Sequence, residues 1–109
     1  MTKKMKNIEI VQALKCLQSF VERQRATETS LLSVKGQFAI KSNNNALIEK
    51  YKPYEETLEE LRKEENVDPE KVQELFDIEV DVELRTISED DFKDGCTIDD
   101  ILLLEFMTE

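Results

Sequence analysis

Residues 77–84 read Asp-Ile-Glu-Val-Asp-Val-Glu-Leu, an unbroken alternation of acid and aliphatic side chains in a chain whose other apolar residues mostly recur at helical spacing. A period of two places Ile78, Val80, Val82 and Leu84 on one face of a strand and Asp77, Glu79, Asp81 and Glu83 on the other. One strand cannot stand alone, because its backbone donors and acceptors need a neighbour. Two neighbours are open: residues 30–35, where Leu32 and Val34 alternate, or the same strand of a second subunit. The second option is the main sequence argument for a homo-oligomer.

Around this strand the pattern is helical. Asn7 stands as a cap before Ile10, Leu14, Leu17 and Val21, with Val11 and Phe20 widening the stripe, which predicts a helix over 7–24. Ile40, Leu47, Tyr54 and Leu61 then fall seven apart, interleaved by Tyr51 and Leu58, and predict a helix over 40–64 of about seven turns. Asn43, Asn44 and Asn45 weaken it, and Pro53 predicts a bend near residues 50–53, or a break into two helices there. The segment 30–40 reads either as a short strand or as a helix opening across Gly36.

Asp68-Pro69 is a cap followed by a first-turn proline, so a short helix begins there with Val72, Leu75 and Phe76 inward. Ser88 with Asp91, and Thr97 with Asp100, match capping-box spacing and predict two more short helices. The last segment, IDDILLLEFMTE, has too many apolar residues for one narrow stripe, so it is either deeply buried or an interface carried by Leu103, Phe106 and Met107. The expected fold is therefore α+β and mostly α-helical. Two main helices pack together, one of them long and bent, beside one acidic strand with a short partner strand and short C-terminal helices. At 109 residues the chain makes a single domain, residues 1–109, in which residues 1–6 are expected to be a flexible, solubilising tail.

Charge is divided unevenly. Residues 1–50 carry nine Lys or Arg against four Asp or Glu, whereas residues 51–109 carry six against twenty-one. Acid at that density repels a phosphate backbone and points to protein partners, not to direct nucleic-acid binding. Lys3, Lys4 and Lys6 lack the interleaved aromatics of a nucleic-acid surface. No apolar run approaches the length that spans a bilayer, and the N-terminus lacks the apolar stretch and small-residue cleavage site of a leader, so a cytoplasmic location in the host cell and no membrane contact are expected.

Chemistry finds little purchase in these residues. There is no His, and Cys16 and Cys96 lie too far apart in sequence to form a zinc box or a readable disulfide framework. The acids of residues 77–83 stand ~6.6 Å from one another along a strand, too far to share an ion unaided, so no metal and no other cofactor is expected. No activated serine, cysteine or lysine nucleophile is visible, and the chain reads as no enzyme. Tyr51 and Tyr54, following the three asparagines, read as core or interface before they read as a ligand pocket.

The runs KYKPYEETLEELRKE, VQELFDIEVDVELRTI and IDDILLLEFM, in that order, resemble a family of small uncharacterised proteins encoded by phages and prophages of Gram-positive bacteria. The resemblance covers most of the chain and rests on pattern and order. It implies an N-terminal helix, a long charged helix, a strand and a short terminal helix, and it carries over no activity and no site residues. What it implies about function is a phage accessory protein that binds a host or phage protein.

The leading expectation is thus non-catalytic protein binding through the acidic half. Asp77, Glu79, Asp81, Glu83, Glu89, Asp90 and Asp91 would imitate a phosphate row against a host nuclease or another defence protein. Two alternatives remain. One is an oligomeric assembly protein joined through Leu103, Phe106 and Met107. The other is an oligomer that sequesters a nucleotide signal, with basic residues such as Lys35, Lys41 or Arg85 neutralising phosphate.

Overall fold

The computed structural model of the chain describes all residues, 1–109. Its elements run β1 (Thr2–Lys6), α1 (Asn7–Arg25), α2 (Val34–Arg62), α3 (Pro69–Asp77) and β2 (Glu79–Glu83), then a 3-10 turn (Glu89–Asp91), α4 (Ile98–Leu103) and a last 3-10 turn (Glu105–Met107). The architecture is α+β and mostly helical, with α1 and α2 packed on each other and a two-stranded antiparallel sheet beside them.

The partner of the acidic strand is neither of the two anticipated. Residues 1–6 do not form a flexible tail: β1 pairs with β2 in the register Thr2↔Glu83, Lys3↔Val82, Lys4↔Asp81, Met5↔Val80, Lys6↔Glu79. The physical reason is a second alternation, with Lys3 and Met5 turned inward and Thr2, Lys4 and Lys6 outward. Met5 is buried in the core, and Lys3 reaches across to donate from Nζ to the Phe106 carbonyl at 3.3 Å. Pairing within the chain also removes the argument that an unpaired strand demands a second subunit. Asp77 closes α3, and the strand begins only at Glu79.

Helix α1 buries Ile10, Ala13, Leu17 and Phe20 and leaves Leu14 and Val21 half-covered at its rim. Its cap position is Lys6, not Asn7. Asn7 is buried, and its carboxamide Nδ2 donates to the Leu75 carbonyl at 2.8 Å while its N–H donates to the Ile78 carbonyl at 2.9 Å, joining the start of α1 to the end of α3.

Helix α2 starts at Val34, six residues before the seam begins, because Ser33 caps it by accepting the Gly36 N–H at 3.1 Å. Gly36 is buried where the chain doubles back on Leu32. A Cβ there would lie 3.0 Å from the Leu32 Cβ, so the glycine serves close approach. The helix is unbroken through Pro53, whose ring is exposed and whose missing donor falls on a water-facing turn. Its seam buries Ile40, Leu47 and Tyr54, while Leu58 and Leu61 are only half-buried and the remaining residues of 55–67 are exposed. There α2 is braced by α3, through Tyr54 and Phe76 with ring centroids 6.1 Å apart.

Asp68 caps α3 by accepting the Glu70 N–H at 2.9 Å. Both capping boxes form, at Ser88–Asp91 and at Thr97–Asp100. The C-terminal residues then close the core: Leu104 and Met107 are fully buried with Val82, Leu84 and Ile87, and Thr108 bridges to Ile87. No helix is long and apolar enough to cross a membrane.

Candidate functional site

The outward face of the sheet is a charge ladder, not a row of acid. Antiparallel partners share a face, so the register sets Lys6 against Glu79, Lys4 against Asp81 and Thr2 against Glu83. Lys6 Nζ also lies 4.0 Å from Asp77. Glu83 accepts the Thr2 hydroxyl and, at 3.0 Å, the Met1 ammonium; these hydrogen bonds, Thr2 first, hold its carboxyl below the usual range. By register a lysine stands opposite Glu79 and Asp81, while Glu83 and Asp77 make ion pairs with the Met1 ammonium and Lys6, so positive groups interleave with the strand acids.

The other expected acids belong to a different place. Glu89 and Asp90 are exposed on the 3-10 turn, but Asp91 is buried and committed to its own chain. It accepts the Ser88 N–H at 2.9 Å and the Ser33 hydroxyl at 2.7 Å, and these bonds hold its carboxyl below the ordinary carboxylate value. Asp91 thus locks the turn to the cap of α2 and is unavailable to a partner.

The terminal segment divides in the same way. Met107 is 0% exposed, so it is a core residue and not the interface residue expected from sequence. Leu103 and Phe106 are half-buried and pack against that core. The apolar residues left in water are Ile98, Ile101 and Leu102, which are 76%, 41% and 57% exposed and follow a spacing of three and one along one side of α4. The opposite side of α4 is anchored by Asp100, buried, with an oxygen 3.6 Å from Arg23 Nε. The Thr97–Asp100 box ties Asp100 to the Thr97 N–H at 2.9 Å, and its burial beside Arg23, a contact from α1, leaves Ile98, Ile101 and Leu102 on the other side.

Two clefts remain. One, of about 700 Å³, runs between α1 and α2, with Leu14, Val21 and Ile48 at its rim and Arg25 and Lys41 among its polar groups. The other, of about 570 Å³, lies between the first turns of α2 and the end of β2 and includes Lys35, Phe38, Ser42 and Arg85. Lys35 and Arg85, far apart in sequence, meet there; Lys41 does not join them. Tyr51 and Tyr54 line neither cleft but pack on each other with centroids 5.6 Å apart.

No three His, Cys, Asp or Glu side chains are placed to hold a metal ion together. Cys96 donates its thiol to the Leu31 carbonyl at 3.0 Å, and burial followed by the charge of Asp100 pushes its pKa up, which suits a structural thiol more than a nucleophile. No protein-family model, no curated protein and no solved structure matches the chain.

Proposed function

We propose that this chain is a non-catalytic binding protein, an accessory protein of the phage or prophage kind, which engages another protein through α4. The observation that carries the reading is the exposed triplet Ile98, Ile101 and Leu102 on a helix whose other side is anchored in the core. Leaving three large aliphatic side chains partly in water forgoes a fraction of the about 1.5–3 kcal/mol that full burial gives each, and a partner surface recovers it. Asp94, Asp99 and Glu105 flank the triplet in sequence and are all exposed. Two copies meeting face to face would bring these acids together, so the fitting partner is a different protein with an apolar pocket and a basic rim.

This reading keeps the acidic half as the binding half but moves the contact from the strand to α4. The host defence proteins and nucleases anticipated from the charge remain suitable partners, because their basic grooves complement such a rim.

The test compares retention of host-lysate proteins by the wild type, by a variant carrying Ile98→Ser, Ile101→Ser and Leu102→Ser, and by one carrying Asp77→Lys, Glu79→Lys and Asp81→Lys. A protein retained by the wild type and the strand variant but lost by the α4 variant, with the far-ultraviolet spectrum unchanged, supports the proposal. Loss with the strand variant alone returns the contact to the sheet, and equal retention by all three overturns both.

A further inference from the structure

The cleft between α2 and the end of β2 concentrates positive charge in a protein whose formal net charge is −10. Lys35, Phe38 and Ser42 project from one face of α2 at helical spacing, and Arg85 meets them from the segment that follows β2. The Arg85 guanidinium sits over the Phe38 ring, 4.9 Å from its centroid. Neither Lys35 nor Arg85 is in an ion pair; the four salt bridges of the chain all involve other groups.

Two features distinguish this from chance surface charge. First, Arg85 is held in place. Asn43 is fully buried in the middle of α2, donates from Nδ2 to the Arg85 carbonyl at 2.9 Å and accepts the Arg85 N–H at 2.7 Å. The clamp fixes the point from which Arg85 departs, and the guanidinium rests on an aromatic face beside the cleft. Second, Lys35 reaches the cleft from the first turn of α2 without an ion pair, the neighbouring Asp91 carboxylate being held at the helix cap by Ser33 and Ser88. An anion in the cleft would be answered by the lysine and the arginine together.

Three acids stand at or behind the cleft, and one of them, Glu109, accepts the hydroxyl of the cleft residue Thr86 at 2.7 Å. Glu83 lines the cleft but has its carboxylate engaged by the Met1 ammonium and the Thr2 hydroxyl. Asp91 feels the charge of Lys35, yet its oxygens serve Ser33 and Ser88.

We propose that this cleft binds a small phosphate monoester of mononucleotide size. Lys35 and Arg85 hold the phosphate, and the exposed edge of Phe38 lies against the organic part, over the buried Ala39 and Leu84. The site is separate from α4 and stands whether or not that helix binds a protein. A polyanion is not the ligand, because the acidic surface beyond the cleft repels an extended phosphate chain.

Isothermal titration at 50 mM salt with AMP, inorganic phosphate, adenosine and a ten-nucleotide single strand tests this. The expected result is saturable one-to-one binding of AMP, none of adenosine, and no tighter binding of the oligonucleotide than of AMP. Arg85→Gln and Lys35→Gln should each weaken AMP at least tenfold, while Lys4→Gln on the sheet leaves it unchanged. Arg85→Gln keeps the backbone that Asn43 holds, so the fold is retained. Inorganic phosphate binding as tightly as AMP would make free phosphate the ligand of the same site; weaker binding would make it the monoester. Absence of saturable binding by both phosphate probes, or equal weakening by Lys4→Gln, overturns the proposal, and tighter binding of the oligonucleotide replaces it with a nucleic-acid site.

Discussion

The carboxamide of Asn43 and the peptide group of Arg85 form a closed pair of hydrogen bonds, 2.7 and 2.9 Å long, across forty-two residues of sequence. Asn43 Nδ2 also lies 3.4 Å from the Met107 sulfur, so one side chain joins α2, the segment after β2 and the C-terminal turn. A helix-interior asparagine costs propensity relative to alanine. Here that cost is offset by satisfying a backbone donor and acceptor that no strand reaches.

Asn43→Ala should therefore destabilise the fold by about 2 kcal/mol, because it leaves both Arg85 groups unpaired as well as opening space in the core. For a domain of this size that corresponds to a fall in Tm of about 10 °C, read by circular dichroism. Asn43→Leu should not restore it, since the added apolar volume provides no partner for the Arg85 peptide. A Tm within about 2 °C of wild type for either variant would show the clamp to be dispensable.

Reversing the ladder tests the sheet. Lys4→Glu with Lys6→Glu sets like charges directly opposite Asp81 and Glu79. The double variant should lose about 1–2 kcal/mol at low salt, with most of the loss recovered at 1 M NaCl, where the screening length falls to about 3 Å. Urea midpoints at the two salt concentrations give the comparison, and a loss that does not shrink with salt would mean that the lysines act by packing.

Acid should unfold the protein through groups that include Asp91. Its folded carboxyl is held below the unfolded value by the Ser88 N–H and then by the Ser33 hydroxyl. Its contribution is fully present above the unfolded value of about 4 and is lost as pH falls through the lower folded value. Asp91→Asn should lower Tm at pH 7 and show a shallower decline on acidification, so the two melting curves draw together at the acid end. Parallel declines from pH 5 to pH 2 would exclude Asp91 as a contributor.

Much of the fold is legible in the residues because local rules suffice. The alternation of residues 77–84 gives β2, Asp68-Pro69 gives α3, and the two Ser or Thr to Asp spacings give the two short C-terminal helices. What escapes a local reading depends on distant partners. Lys3, Lys4 and Lys6 look like a solvated tail until Val82, Asp81 and Glu79 are set opposite them. Asn43 looks like a weakness in a helix until Arg85 is known to lie beside it. Whether Leu103, Phe106 and Met107 are core or interface stays open in the sequence until the bridge from Ile87 to Thr108 sets Met107 inward and Ile98, Ile101 and Leu102 are left outside.

The pairing of β1 with β2 makes the chain a clasp. Residues 2–6 find their neighbours only when residues 79–83 are present, and the intervening helices must be gathered before the two ends of that loop meet. Closing so long a loop costs entropy that no contact returns until closure is nearly complete. During that interval the apolar stripe of α1 lacks the cover of Val82, Leu84 and Leu104. Folding is accordingly expected to be a late, concerted event governed by the last quarter of the sequence, and a chain cut short before residue 83 would leave its first helix uncovered and prone to associate with other apolar surfaces.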